Sequence, residues 1–148
     1  MSPSNERFIS WVEFQHDTQT LAKALKNKEK WNGIVAVTRG GLIPAGIIAQ
    51  ELNIKHIETF CISSYNDKDR NEAEIIKEFC DSKDGENWII IDDLVDSGAT
   101  AKIIRSYLPN AHIATVYAKP SGAAEANTYA VNIPQETWLH FPWEYTAE

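Results

Sequence analysis

The stretch Trp88–Thr100, Trp-Ile-Ile-Ile-Asp-Asp-Leu-Val-Asp-Ser-Gly-Ala-Thr, constrains the fold of this chain more than any other. Trp88 and the β-branched run Ile89–Ile91 read as a strand buried on both faces, the kind found in parallel sheets covered by helices. That strand runs into two adjacent carboxylates, Asp92 and Asp93, and a third follows at Asp96. Ser97, Gly98 and Thr100 close the segment where a helical pattern begins. Such a turn between strand and helix offers an anion backbone N–H groups with the helix dipole behind them. Carboxylates beside an anion-binding turn suit a phosphorylated sugar, with the phosphate in the turn and hydroxyls and a metal on the acids. Asp92 or Asp93 alone could simply cap the turn; their adjacency, with Asp96 nearby, favours a site.

A strand of that type needs a sheet and covering helices, and 148 residues suffice for one domain spanning 1–148. The formal charge of −7 weighs against broad nucleic-acid binding, which depends on basic surface. A small phosphorylated ligand remains compatible, because a few amides and one or two cations suffice locally. No apolar run approaches the roughly 20 residues that span a bilayer. The first fifteen residues carry charges and no continuous apolar stretch, so no secretory signal is expected. Cys61 and Cys80 have no metal-ligand spacing and read as free thiols, so a cytoplasmic protein is the expectation.

Residues 1–9 are polar and read as loose. Ser10-Trp11-Val12-Glu13 fits a capping box, and Phe14, Thr18, Leu21 and Leu25 follow at helical spacing, predicting a helix over about 11–27. Gly33–Val37 reads as a second buried strand, ending in Thr38-Arg39-Gly40-Gly41, and Pro44 opens a helix with Ile47, Ile48 and Leu52 on one side. Strand, polar turn and helix thus occur twice. In an open α/β sheet ligands bind beyond the carboxyl ends of the strands, so both turns would face one crevice. Arg39 there suits a pyrophosphate, although an Arg-Gly-Gly is equally well a surface turn.

A third strand is predicted from His56 to Ser63. From Tyr65 to Asn87 the chain is dense in charge, with Ile75, Ile76 and Phe79 as its apolar cluster. That composition predicts a mobile flap or two-stranded excursion leading to a short helix near 74–80, serving as a lid over the site. A helix over about 99–108, strands at 112–117 and 129–133, and an aromatic tail from Thr137 to Trp143 complete the chain. His16, His56, His112 and His140 share no ligand-like spacing and are expected to be structural.

Ile89–Thr100 resembles the signature of the type I phosphoribosyltransferases. Val37–Leu42, Cys61–Tyr65, Ala118-Lys119-Pro120 and Ile133–Trp138 are similar to segments of the bacterial xanthine–guanine branch of that family. The similarity runs from about Trp11 to Trp143. It implies a type I phosphoribosyltransferase fold, an open, mostly parallel twisted sheet flanked by helices, with 65–87 as a flexible hood and 134–148 as a purine-side tail. It also implies a Mg²⁺-dependent purine-salvage enzyme that transfers ribose 5-phosphate from phosphoribosyl pyrophosphate (PRPP) to guanine or xanthine, and more weakly to hypoxanthine. The products would be GMP or XMP and pyrophosphate.

Carried over position by position, the resemblance implies PRPP contacts from Arg39, Gly40, Arg70 and the run Asp92, Asp93, Leu94, Val95, Asp96, Ser97, Gly98, Ala99 and Thr100. Asp93 matches the residue associated with Mg²⁺. Asp96 would lie by the purine N7 as general base or acid, Lys119 would donate to the 6-oxo group, Trp138 would stack on the ring, and the Leu139 backbone would meet the 2-substituent. Ala99 stands where the similar segments carry glycine, and Ser97 where they carry threonine. Relatives of this kind form homotetramers, and some lie peripherally at the membrane, though no basic amphipathic anchor is visible here. A PRPP-sensing, nucleic-acid-binding regulator on the same fold is the rival reading. The acidic charge and the intact purine tail favour the enzyme. A dinucleotide binder is remoter, since no Gly-x-Gly-x-x-Gly follows the first buried strand.

Overall fold

A computed structural model describes residues 5–26, 30–64, 73–77, 79 and 84–145. Its centre is a six-stranded sheet of β2 (Gly33–Thr38), β3 (Ile57–Ser64), β4 (Ala73–Lys77), β5 (Trp88–Val95), β6 (His112–Ala118) and β7 (Thr128–Asn132), in the order β4-β3-β2-β5-β6-β7. All pairs are parallel except β3–β4. The sheet is therefore open and mostly parallel, as the sequence predicts.

Alternation along the strands sorts the core into two layers, because successive side chains point to opposite faces. Ile34, Ala36, Ile89, Ile91, Ala114 and Val116 pack with Phe14, Leu21, Leu25, Ala45 and Ile48 of α1 (Trp11–Leu25) and α2 (Leu42–Leu52). Val35, Val37, Ile90 and Ile113 pack with Ala101, Ile104 and Leu108 at α3 (Ala99–Tyr107) on the other face. Continuous apolar runs such as Ile89–Ile91 are thus needed because both faces are covered.

The chain moves outward from β2 to β3, returns to β5 on the other side of β2, and continues to β6 and β7. The order reverses between β2 and β5, and their carboxyl ends form the crevice in which open α/β sheets hold ligands. Both polar turns singled out in the sequence lie there. The β5 strand continues to Val95, so Asp92 and Asp93 belong to the strand itself and only Asp96–Gly98 form the turn.

Four local expectations change. The capping box is half formed: Ser10 Oγ accepts from the Glu13 N–H at 3.0 Å, while the Glu13 carboxylate pairs with Arg7. The α2 helix starts at Leu42, with Pro44 inside its first turn, where a missing N–H costs nothing. Residues 74–77, expected to begin a short helix, belong instead to β4, whose antiparallel pairing with β3 is the two-stranded alternative, because that pairing outweighs the local apolar spacing. The supposedly loose N-terminus contains β1 (Glu6–Phe8), which pairs in parallel with β8 (Trp138–His140) in the aromatic tail. Within the 65–87 segment, residues 65–72, 78 and 80–83 lie outside the described residues, Arg70 among them. Among the described residues no helix is long and apolar enough to cross a membrane.

Candidate active site

Parity along β5 assigns its carboxylates. Asp92 follows the parity of Ile90, toward α3; Asp93 follows that of Ile91, toward α2. A cavity of about 410 Å³ runs along the α3 side, lined by Asp92, Leu94–Ala101, Ile104 and Thr115 among others. A second, of about 840 Å³, is lined by Thr38, Arg39, Gly40, Asp92, Asp93, Thr100, Trp143 and Glu144. Asp92 and Thr100 border both, so the two cavities form one crevice over the switch point.

The turn after β5 has the strand–turn–helix geometry expected of it. Gly98 is the residue before α3 and sits at φ 92°, a conformation that strains any side chain. It provides no side-chain cap, so the first turn of α3 opens toward the cavity with its N–H groups and dipole. Ser97 Oγ accepts from the Ala99 N–H at 3.3 Å, which folds the turn. Ala99, where glycine was the similar residue, is helical and exposed, so its methyl group meets no obstacle.

On the other side, Gly40 lies so close to Asp93 that an added Cβ would come within 2.5 Å of the Asp93 carboxylate. The Thr38–Arg39 peptide bond is cis. Burial pushes the Asp92 carboxyl well above the usual carboxylate range, and the charge of Asp93 adds to it. Burial, with help from the charge of the Glu144 carboxylate, which the sequence reading missed, pushes Asp93 up to about 6 despite the hydrogen bond with Asp92 that opposes it. The Asp93 N–H donates to Asp92 Oδ1 at 2.8 Å. Two acids that prefer protons in a polar crevice are suited to a cation delivered with a ligand.

The donor set is informative about the kind of cation. Among the described residues no group of three or more His, Cys, Asp or Glu could hold a metal ion unaided. Mg²⁺ is ordinarily held by one or two carboxylates together with substrate phosphates, so Asp92 and Asp93 fit it and a closed all-protein cage does not form.

The base side is built by register. Val95 of β5 pairs with Ala118 of β6, so the residues that follow, Asp96 and Lys119, emerge side by side. The Lys119 N–H donates to the Val95 carbonyl at 2.9 Å, and its Nζ reaches Asp96 Oδ2 at 3.5 Å. Lys119 is 4% exposed, an unusual position for a lysine and one that needs a polar partner. Gln135 was also missed by the sequence reading; its Nε2 donates to Asp96 Oδ1 at 2.8 Å.

Trp138 is 65% exposed and lines neither cavity, and the Leu139 side chain is buried in the core. The Leu139 backbone has a different environment. Trp138 N–H donates to Asn5 O, and Ile9 N–H donates to His140 O. Alternation along a strand then turns the Leu139 N–H and C=O away from β1, toward the side of β8 where no strand pairs. The structure thus groups Arg39, Gly40, Asp92 and Asp93, groups Asp92 with the 94–100 turn, and joins Lys119 to Asp96. Trp138 stands apart from these contacts.

Comparison with known proteins agrees with this geometry. A family profile described as phosphoribosyl transferase domain matches residues 10–148. A Desulfotalea psychrophila protein described as xanthine-guanine phosphoribosyltransferase is 50% identical over 141 residues, 95% of this chain and 87% of that protein. A purine phosphoribosyltransferase from Pyrococcus horikoshii superposes with a TM-score of 0.81 at 26% identity, covering 97% of each chain. The Helicobacter pylori xanthine-guanine-hypoxanthine phosphoribosyltransferase shares the fold, with a TM-score of 0.76 at 21% identity over 94% of each chain.

Proposed function

The chain belongs to the phosphoribosyltransferase family, and we propose that it salvages purines by transferring ribose 5-phosphate from PRPP to guanine or xanthine, and more weakly to hypoxanthine. The observation that carries this reading is the pairing of Asp96 with the buried Lys119 beside the phosphate-type turn. One group accepts a proton and the other donates to an oxo group, which is what an oxopurine presents. The similarity to a xanthine-guanine phosphoribosyltransferase supports the same substrates.

In this mechanism the turn from Asp96 to Thr100 binds the 5′-phosphate, with Leu94 and Val95 leading the chain into it. Asp92 accepts from the ribose hydroxyls, and Arg39 and Gly40 bind the diphosphate that leaves. Asp92 and Asp93 would hold Mg²⁺, which when bound supplies positive charge to the diphosphate oxygens. A purine ring nitrogen forms the new bond to the sugar as the bond to diphosphate breaks, and the proton at N7 passes to Asp96. Lys119 fixes the 6-oxo group, Trp138 covers the ring face, and the Leu139 backbone meets the 2-substituent. Arg39 meets the negative charge that develops on the leaving group, and exclusion of water protects PRPP from hydrolysis. The same reading makes 65–87, with Arg70, a hood over the site, and makes the working enzyme a cytoplasmic homotetramer.

The test is ultraviolet detection of nucleotide formation by pure protein with PRPP, Mg²⁺ and each of guanine, xanthine and hypoxanthine. Conversion of guanine and xanthine is expected, with hypoxanthine slower. Failure with all three bases overturns the proposal.

A further inference from the structure

Gln135 connects two parts of the site that neither cavity joins. Its side-chain amide is bound at both ends: Oε1 accepts from the Ser121 N–H at 2.7 Å and Nε2 donates to Asp96 Oδ1 at 2.8 Å. The backbone N–H can only donate, so it fixes the oxygen end of the amide on Ser121 and turns the NH₂ end to Asp96. Ser121 belongs to the turn that begins at Lys119, where the Gly122 and Ala123 N–H groups both donate to the Lys119 carbonyl. The anchor of Gln135 and the lysine facing Asp96 therefore belong to one small rigid unit.

The two oxygens of Asp96 have unequal partners. Oδ1 has a 2.8 Å hydrogen bond from Gln135, whereas among the described residues Oδ2 has only Lys119 Nζ at 3.5 Å. Asp96 is otherwise an exposed side chain on a turn, with its carboxylate free to rotate if nothing holds it. We propose that Gln135 is the positioning residue for proton transfer: it holds Oδ1 so that Oδ2 faces the base, and it links that orientation to the purine-side tail. The inference rests on the role of Asp96 in the proposed reaction. Gln135 acts through Asp96 and touches no reacting atom.

Shape and chemistry give opposite rankings of two substitutions. Gln135→Glu preserves size and the contact with Ser121 N–H but sets a carboxylate against Asp96. Gln135→Met also preserves length but offers no donor. A structural role for Gln135 makes Glu the milder change; the positioning role makes Glu at least as harmful as Met. Loss of a hydrogen bond to a charged group is expected to lower kcat by about tenfold or more in both. The KM for PRPP is expected to stay within about twofold, since the diphosphate side is untouched.

A double-mutant cycle supplies the second readout. On an Asp96→Asn background, with no carboxylate left to orient, Gln135→Met is expected to cost nothing further. An undiminished cost there, a milder Glu variant, or wild-type turnover in both variants overturns the inference while leaving the activity intact. Inactivity of the wild-type protein on every base would instead refute the proposed function.

Discussion

Two neighbours reach Asp96 from one sheet edge, and what each can donate determines what the carboxylate can do. Lys119 carries a charge, and Gln135 a fixed amide. With Asp96→Asn the side chain keeps its size and can still accept from Gln135, but it cannot take a proton from the base. Turnover with guanine is expected to fall about 100-fold or more with the circular dichroism spectrum unchanged; unchanged turnover would remove Asp96 from the mechanism. The acids of β5 are legible in sequence because carboxylates directly after a doubly buried apolar run serve no packing purpose. Gln135 and Glu144 are not, since each is a single polar residue in a tail, 39 residues from Asp96 in one case and about fifty from Asp93 in the other, and only the tertiary fold brings them near.

At the level of elements, the β-branched runs identify β2, β3, β5, β6 and β7, and their placement between helical patterns identifies the parallel sheet. Short elements are less legible. Three-residue β1 and β8 have no periodicity to read, and β4 takes its form from β3 rather than from its own sequence. The β1–β8 pair nevertheless bears on the purine side. Phe8 stacks on His140 with ring centroids 4.2 Å apart, and Glu6 accepts from His140 Nε2 at 2.7 Å. These contacts hold β8, and with it the Leu139 backbone. A chain lacking residues 1–8 is expected to raise the KM for guanine about tenfold, the scale of one lost hydrogen bond, with the KM for PRPP nearly unchanged. Steady-state kinetics on both substrates check this; equal rises would mean that β1 supports the whole crevice rather than its base side.

Over the whole molecule, the site is built at a cost in stability, because it buries Asp92 and Asp93 together at the sheet's switch point. Both carboxyls bind protons more tightly in the folded chain than in the unfolded one, with Asp93 moved from 3.8 to about 6 mainly by burial. A raised carboxyl pKa means that the folded state holds more protons, so stability falls as pH rises. The contribution is complete below about 3.8 and is lost as pH passes through about 6. Comparison with Asp93→Asn cancels the other titrating groups apart from Asp92 and Glu144, each of which loses a charged neighbour; the part of the Asp92 shift that comes from burial remains. Thermal unfolding without ligand should therefore show the variant gaining on the wild type between pH 4 and pH 7. The crevice is open to solvent, which limits the gain to about 1–2 kcal/mol, a shift of a few degrees in Tm. Mg²⁺ with PRPP should reverse the order above pH 6, stabilising the wild type more than the variant, because a ligand that selects the ionised pair binds only the folded chain. A variant that gains nothing on the wild type as pH rises would show that the pair is ionised at no cost. Equal stabilisation of both proteins by Mg²⁺ and PRPP would show that Asp93 does not hold the metal.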